Sequence, residues 1–215
     1  MKRIGLTQRS HTMQGHAERR DMLDQRWTTL IERLGGYALP LTNSVSDVGA
    51  YLDVLDLDAL ILTGGNDLSM LPNAVDSAPE RDRFEAEAYC YFLQRGKPVL
   101  GVCRGAQIIN HLAGGRLVRV PGHAGTRHEL VWTDTPPAYW DCPSEVNSYH
   151  NWAIPVDGLA PDMEALAWAR DGTVEAFHAR EAPVNAIVWH PEREPELDAS
   201  ALKFLTAALD LSPFR

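Results

Sequence analysis

The chain is short of cysteine, of positive charge and of long hydrophobic runs. Its three cysteines are an odd number without the spacing of a disulfide framework, so we expect reduced thiols and a cytoplasmic location. No apolar run is long enough to span a bilayer, and no signal-peptide stretch follows Met1, so we expect no membrane association. The formal net charge of −9 argues against binding to a nucleic-acid polymer, which requires a basic surface.

Motifs for common cofactors and metals are also missing. No glycine-rich loop ends in Gly-Lys-Ser or Gly-Lys-Thr, and no Gly-x-Gly-x-x-Gly opens a helix, so we expect neither ATP nor NAD. Eight histidines are present, but no predicted helix carries two of them four residues apart beside an acidic residue. His123 and His128 lie in a glycine-containing segment instead. We therefore expect no cofactor and no catalytic metal.

What the chain does contain is an alternation of strand-like and helix-like segments. Strands are predicted over 3–7, 37–41, 59–63, 98–102, 117–120, 129–133, 163–169, 174–178 and 185–189. Helices are predicted over 18–34, over 77–94 with a capping pattern at Ser77 and an early Pro79, over 104–113 and over 198–209. We expect a single domain spanning residues 1–215 with a flavodoxin-like, doubly wound α/β fold. In such a fold a mostly parallel central sheet carries helices on both faces, and here segment 117–178 adds antiparallel strands.

The most informative segment is Gly101-Val102-Cys103-Arg104-Gly105. An apolar run precedes it, so a buried strand is expected to end at Cys103 and a helix to begin at Arg104. The two glycines remove Cβ atoms that would collide on so sharp a turn, which presents a strained residue at the carboxyl edge of the sheet. The helix N-terminus favours the thiolate, so Cys103 is a candidate nucleophile. A buried structural cysteine is the alternative, and this is the role that we expect for Cys90.

A second candidate group follows the last predicted strand. It is the segment His190-Pro191-Glu192. A thiol nucleophile needs a base within reach, and the base needs an acceptor that fixes its tautomer and orientation. His190 and Glu192 are candidates for these two roles, provided that Cys103 and His190 meet at one edge of the sheet.

A pair of glycines follows another predicted strand, in the loop Thr63-Gly64-Gly65-Asn66-Asp67. Without side chains, the backbone there can approach a ligand closely. The N–H of Gly64 or Gly65 could therefore join the N–H of Arg104 as an oxyanion hole, for which acyl transfer needs two donors. An ordinary tight turn is the alternative.

These motifs, with Asn147-Ser148-Tyr149-His150 and Gly172-Thr173-Val174-Glu175-Ala176, resemble the class I glutamine amidotransferase superfamily, in particular its γ-glutamyl hydrolase branch. The resemblance implies a Cys103–His190–Glu192 triad that cleaves a γ-glutamyl amide through a glutamyl thioester and releases glutamate. Cys-Arg-Gly is usual in free-standing hydrolases of this superfamily. A glutaminase subunit that feeds ammonia to a synthetase, and a noncatalytic redox-sensing protein, are the alternatives.

The resemblance also implies how the glutamyl group is bound. The candidates for its carboxylate and ammonium are Arg104, Gln107, Asn147 and Ser148, with His150 lining the pocket. Glu175 either addresses the ammonium or orients its neighbours.

The N-terminal segment indicates the leaving group. Thr7-Gln8-Arg9 and residues 18–27 resemble the γ-glutamyl-CDP-amidate hydrolases, which act in the phosphoramidate decoration of capsular polysaccharide. A cluster of basic residues suits phosphate oxygens: Arg9, His11, His16, Arg19, Arg20 and Arg26. Arg9 is the best candidate contact, and the last three are alternatively the solvated face of a helix. Asn151-Trp152 departs from the γ-glutamyl-aminobutyrate hydrolases of the polyamine pathway, which remain an alternative. The oligomeric state stays open, and a homodimer is compatible with the sequence.

Overall fold

The computed structural model of the protein describes residues 1–15, 17–140 and 142–211. Its strands are β1 (Lys2–Leu6), β2 (Arg9–Thr12), β3 (Arg19–Met22), β4 (Gly36–Pro40), β5 (Ala59–Leu62), β6 (Val99–Val102), β7 (Val118–Arg119), β8 (Ala124–Trp132), β9 (Glu145–Tyr149), β10 (Trp152–Pro155), β11 (Met163–Ala169), β12 (Thr173–Ala179) and β13 (Val184–Ile187). Its α-helices are α1 (Gln25–Arg33), α2 (Val48–Leu55), α3 (Pro79–Gln94), α4 (Arg104–Leu112) and α5 (Ala199–Ala208).

One half of the central sheet is parallel. Strands β4, β1, β5, β6 and β13 lie side by side in that order. Every residue of β5, β6 and β13 is buried, as expected for apolar strands covered on both faces. Because parallel strands end at the same edge, the residues after β5, β6 and β13 come together there. These residues include Thr63, Cys103 and His190.

The other half of the sheet is antiparallel. It continues from β13 through β12, β11 and β8 to β9, while β10 pairs with β12 and β7 pairs with β10. Strand β8 contains no fully buried residue, so this end of the sheet is partly open to solvent. The predicted antiparallel addition is therefore present and is larger than expected, because β9 and β10 were not predicted.

Helices cover both faces of the parallel half. On one face α1 and α5 bury Trp27 and Phe204 against the sheet. On the other face α2, α3 and α4 bury Leu52, Phe84 and Ile108. The predicted α/β fold is confirmed. None of the described helices combines the length and apolarity that a membrane crossing needs.

The prediction of a helix over 18–34 is wrong in its first part. Strand β3 pairs with β2 in a separate two-stranded hairpin, and α1 begins only after Asp24, whose carboxylate accepts a hydrogen bond from the N–H of Arg26. The hairpin is held to the β4–α2 loop by Asp21, which accepts hydrogen bonds from the backbone and side chain of Asn43 at 2.9 and 2.7 Å. This tertiary contact outweighs the local helical pattern.

Helix α3 also differs in two details from its prediction. Its N-cap is Ala78, not Ser77, because Ser77 is held in a bridge with Asp67. Pro79 occupies the first turn and has no N–H that needs a cap. Cys90 is exposed rather than packed in the core, since it lies on the opposite side of the helix from the buried Ala88. Helix α2 was not predicted.

Candidate active site

Cys103 lies on a strained turn between β6 and α4. Its φ of 54° and ψ of −106° belong to the region that favours glycine. The flanking glycines are required by packing: a Cβ on Gly101 would lie 2.8 Å from the backbone of Gly105, and one on Gly105 would lie 1.9 Å from the carbonyl oxygen of Leu62. The segment thus has the strand–turn–helix geometry expected of a nucleophile elbow.

His190 reaches Cys103 because β13 lies beside β6. The last residues of the two strands, Ile187 and Val102, are in register, and the N–H of Cys103 donates to the carbonyl of Ile187 at 2.8 Å. The imidazole of His190 lies close enough to the Cys103 side chain for each group to change the pKa of the other. The opposite ring nitrogen, Nδ1, lies 2.7 Å from Oε1 of Glu192, and both of these side chains are buried. The three side chains form a continuous chain from sulfur to carboxylate.

The charge states of this pair depend on each other. Burial alone would raise the pKa of the Cys103 thiol, but the charge and hydrogen bond of His190, helped by the nearby His150 and the N–H of Arg104, lower it below its usual value. Burial likewise opposes the charged form of His190, yet the Cys103 thiolate and then Glu192 raise its pKa to about 9. Both shifts favour the thiolate–imidazolium form of the pair over the neutral form.

Asn147 and Ser148, predicted to bind substrate, make their side-chain hydrogen bonds to the protein. The Asn147 amide accepts from the backbone N–H of His190 at 2.9 Å and donates to the carbonyl of His190 at 2.8 Å. Its amide nitrogen also lies 2.7 Å from Glu194. The Ser148 hydroxyl donates to the carbonyl of His123. Neither residue lines the main cavity described below, so Asn147 is a positioning residue for His190.

The Gly64–Gly65 loop closes over the pair. A Cβ on Gly64 would lie 2.6 Å from Cε1 of His190, so only glycine fits there. The carbonyls of Gly64 and Gly65 each accept a hydrogen bond at 3.0 Å from Arg81, which is completely buried. In a trans peptide the N–H points away from the C=O, so this arrangement turns the N–H of Gly65 away from Arg81. Arg81 thus fixes the loop, and the role of the Gly65 N–H in an oxyanion hole stays a prediction.

Arg81 was missed by sequence reasoning, although a signal exists. Arg81 and Glu85 lie on the same face of α3 as the apolar Phe84 and Ala88, where a charged pair is unexpected. Their side chains form a buried salt bridge of 2.7 Å. Burial lowers the pKa of Arg81 to about 10 despite Glu85, so the guanidinium stays charged at neutral pH.

The side chain of Arg104 is largely engaged by the protein. Its guanidinium is buried and its two terminal nitrogens pair with Glu85 and Asp82, while Nε has no hydrogen-bond partner among the described residues. The neutralised group thus braces α4 against α3. The backbone N–H of Arg104, in contrast, contacts the sulfur of Cys103, where the predicted oxyanion donor is needed.

A cavity of about 420 Å³ opens beside Cys103. Of the predicted substrate contacts, it is lined by Arg9, Arg104, Gln107 and His150, together with Gly65 of the loop. It is also lined by residues that were not predicted to contact substrate: Asn66, Asp67, Asn73, Val75, Asp76, Arg119, Tyr149, Asn151 and Trp152. On the other side of Gly65 a cavity of about 300 Å³ is lined by Trp27, His190 and Glu192.

Arg9 lies between these two cavities and lines both. Its stem packs over Gly65, where a Cβ would lie 3.0 Å from Cδ of Arg9, and its guanidinium pairs with Asp76 at 2.6 Å. The rest of the predicted basic cluster is elsewhere. Arg19 pairs with Glu80, Arg20 with Glu18 and Arg26 with Asp24, and none of these arginines lines either cavity. His11 does not line them either, and His16 lies outside the described residues.

Glu175 lies behind the cavity wall rather than in it. Its carboxylate is fully buried on β12 and approaches Nε2 of His150 at 3.5 Å. Nδ1 of His150 faces the carbonyl of Trp152 at 3.0 Å. His123 and His128 lie on the far side of His150, and the four side chains include the nitrogen and oxygen donors that a metal ion requires.

Comparison with known proteins identifies relatives over nearly the whole chain. Residues 3–192 match the family model of Peptidase C26. γ-Glutamyl-CDP-amidate hydrolase of Campylobacter jejuni is 33% identical over 199 residues, which cover 91% of this chain and 92% of that protein. Anthranilate synthase component 2 of Cyanophora paradoxa is 22% identical over 76% of this chain and 88% of its own.

Solved structures have the same fold. A proposed GMP synthase component from Thermoplasma acidophilum superimposes with a TM-score of 0.70 at 22% identity, covering 98% of this chain and 94% of that one. A glutamine amidotransferase from Thermotoga maritima gives a TM-score of 0.66 at 12% identity, covering 97% and 82%. The predicted family and fold are thereby confirmed.

Proposed function

The chain belongs to the Peptidase C26 family, and from this premise we propose that it hydrolyses γ-glutamyl amides with Cys103 as nucleophile. The observation that carries the proposal is the buried chain of contacts from the Cys103 sulfur through His190 to Glu192. A thiolate and an imidazolium at neutral pH are the ionisation states that attack on an amide requires.

The reaction would proceed in two halves. The Cys103 thiolate adds to the γ-carbonyl carbon, and the N–H groups of Gly65 and Arg104 stabilise the oxygen that becomes negative. His190 then gives its proton to the leaving nitrogen as the C–N bond breaks, which leaves a glutamyl thioester on Cys103. In the second half His190 takes a proton from water, the hydroxyl adds to the thioester, and the C–S bond breaks to release glutamate and restore the thiolate.

For the leaving group we propose a nucleotide diphosphoramidate, so that the substrate is γ-glutamyl-CDP-amidate and the product is cytidine diphosphoramidate for capsular polysaccharide. The relative from Campylobacter jejuni supports this choice. So do two arginines at the cavity, Arg9 and Arg119, because guanidinium groups suit phosphate oxygens. Arg119 forms no salt bridge with any other described residue, so its charge is available to an anionic ligand.

The test is a panel of γ-glutamyl amides with the isolated, purified protein, scored by kcat/KM. The panel contains γ-glutamyl-CDP-amidate, γ-glutamyl-aminobutyrate and glutamine, with Cys103→Ala as the inactive control and Cys90→Ala as the matched active one. We expect glutamate release to be fastest from the nucleotide compound. A preference for the aminobutyrate would overturn the leaving group alone.

A glutaminase subunit would behave differently in the same panel. It would be nearly inert on every compound until a synthetase partner is added, and it would then prefer glutamine. The relationship to an anthranilate synthase component gives this alternative its support, at the lower identity of 22%. Inertness of the isolated protein on all γ-glutamyl amides would overturn the proposed free-standing hydrolase.

A further inference from the structure

Behind the wall of the catalytic cavity, three imidazoles face one another around a buried carboxylate. The ring centroids of His123 and His128 are 4.2 Å apart, and that of His150 lies 5.0 Å from His123. Glu175 stands beside them, and one ligand atom from each of the four side chains lies within 4.8 Å of the others. Nothing in the hydrolytic mechanism uses His123, His128 or Glu175.

Five polar atoms of this cluster have no hydrogen-bond partner among the described residues. Among the described residues none makes a hydrogen bond to Nδ1 of His123, Nε2 of His128, Nε2 of His150 or either carboxylate oxygen of Glu175. His123, His150 and Glu175 are more than nine-tenths buried, so water does not replace the missing partners freely. A buried carboxylate whose nearest described partner is the His150 ring at 3.5 Å is costly, and a cation bound at the cluster would offset that cost.

A proton on His150 does not meet that requirement. It would serve one oxygen of Glu175 across 3.5 Å and would leave the second oxygen without a partner. Nδ1 of His123 and Nε2 of His128 would also remain without a hydrogen-bond partner among the described residues. A single ion bound at the centre of the cluster would serve all four groups together.

In two of the histidines, one ring nitrogen already has a hydrogen-bond partner outside the cluster, as is usual for histidines that bind a metal ion. Nε2 of His123 lies 2.8 Å from the carboxylate of Asp171, which leaves Nδ1 as the ring nitrogen without a hydrogen-bond partner among the described residues. Nδ1 of His150 faces the carbonyl of Trp152, which leaves its Nε2 inward. A carboxylate or carbonyl on the second ring nitrogen fixes the tautomer and the orientation of a ligating histidine.

We propose that His123, His128, His150 and Glu175 form a binding site for a divalent transition-metal ion of the zinc class. Three imidazole nitrogens and one carboxylate suit Zn²⁺, whereas Mg²⁺ and Ca²⁺ prefer oxygen ligands. Bonds of about 2.0 Å in a tetrahedral site place the ligand atoms about 3.3 Å apart, so the His150–Glu175 pair is already near that spacing and the two other histidines must move inward.

Such an ion would join separate segments of the antiparallel half. His128 lies on β8, His150 follows β9, and Glu175 lies on β12, while His123 precedes β8. Because His150 also lines the catalytic cavity, the ion would fix one wall of the pocket that holds the glutamyl group. This site is independent of the proposed hydrolysis.

The experiment titrates the full-length protein, first stripped with a chelator, with Zn²⁺ and separately with Co²⁺. The expected results are one Zn²⁺ per chain by elemental analysis after desalting, a higher Tm and a visible spectrum of four-coordinate Co²⁺. His128→Ala should bind at least tenfold more weakly. His178→Ala is the matched control, since it removes another half-buried histidine of the same half and should bind normally.

Two further variants keep the result unambiguous. Cys103→Ala should still bind Zn²⁺. If this variant does not bind Zn²⁺, the ion is bound by the Cys103 thiol and the proposal is overturned. Glu175→Gln, of nearly equal volume, should fold and lose affinity. The proposal is also overturned if stripped wild-type protein takes up no Zn²⁺, or if His128→Ala binds as well as His178→Ala.

Discussion

The two halves of the central sheet contribute different groups to the candidate active site. The parallel half supplies Cys103 and His190 from the ends of β6 and β13, which are held side by side by backbone hydrogen bonds. The antiparallel half supplies His150, and the separate hairpin supplies Arg9. The proposed reacting groups thus follow buried strands, while the residues proposed to select the substrate lie outside the parallel half. Substitutions of the proposed reacting groups in the parallel half should therefore abolish catalysis. Substitutions of residues outside that half should instead change which substrate is preferred.

The largest effect is expected from Cys103→Ala. Removal of the nucleophile should lower kcat by at least ~10⁴-fold for every γ-glutamyl amide, because no thioester can form. The double variant with His190→Ala should lose no more than the single one, since the two groups act as a unit. Glutamate release measured in both variants checks this. Cys90→Ala is the control and should keep full activity. Full activity in Cys103→Ala as well would contradict the assignment of the reacting groups to the parallel half.

Glu192→Gln should have a smaller effect, of ~10²-fold in kcat/KM, together with a displaced pH profile. The Cys103 thiolate and Glu192 raise the pKa of His190 to about 9, and catalysis needs the charged ring. Activity of the wild type should therefore fall as pH rises through about 9. Without the carboxylate charge, the pKa of His190 falls and the alkaline limb moves to lower pH.

The measurement is kcat/KM against pH for Glu192→Gln and for Glu196→Gln, which changes an exposed carboxylate further along the chain. The alkaline limb should move to lower pH in Glu192→Gln and stay in place in Glu196→Gln. An alkaline limb that stays in place in Glu192→Gln would mean that the carboxylate does not act on His190.

Arg9→Met tests the region outside the parallel half. Loss of one charged contact should raise KM for γ-glutamyl-CDP-amidate by ~10-fold and leave kcat/KM for γ-glutamyl-aminobutyrate nearly unchanged. The matched control is Arg33→Met, an exposed arginine of α1 that does not line the cavity. Equal losses on both substrates would contradict a role for Arg9 in choosing the leaving group.

The same contrast explains what the sequence predicts and what it does not. Strands β5 and β6 are continuous apolar runs, and β13 is apolar except for Asn185. Their parallel pairing brings Cys103 and His190 to one edge, so local pattern is enough to find them. The hairpin β2–β3 escaped prediction because residues 18–34 have helical spacing. Its position depends on Asp21 meeting Asn43, a contact across 22 residues that no local pattern encodes.

Side-chain partners are harder still to predict. Arg104 follows the candidate nucleophile and lines the cavity, but its guanidinium also pairs with two carboxylates of α3, which the sequence analysis did not predict. The four members of the histidine cluster span residues 123–175 without metal-ligand spacing, and only the antiparallel pairing brings them together. The ion pairs of Arg104 and the cluster of three histidines with Glu175 both depend on contacts between distant segments, which local sequence patterns do not predict.

The smallest expected effect concerns the stability of the elbow. Cys103 has φ of 54°, which costs a non-glycine residue on the order of 1 kcal/mol. Cys103→Gly should therefore be more stable than Cys103→Ala by about 1 kcal/mol, although neither has a sulfur. On the exposed face of α3 the order should reverse, because glycine in a helix costs about 1 kcal/mol relative to alanine. Cys90→Ala should therefore be more stable to unfolding than Cys90→Gly.

Urea denaturation of the four variants measures both differences. Opposite signs at positions 103 and 90 would mean that strain is stored at the nucleophile and not in the neighbouring helix. The same sign at both positions would contradict this, because the backbone at Cys103 would then tolerate a side chain as a helix does. The parallel half would in that case position its nucleophile without a cost in stability, and its burial alone would distinguish it from the antiparallel half.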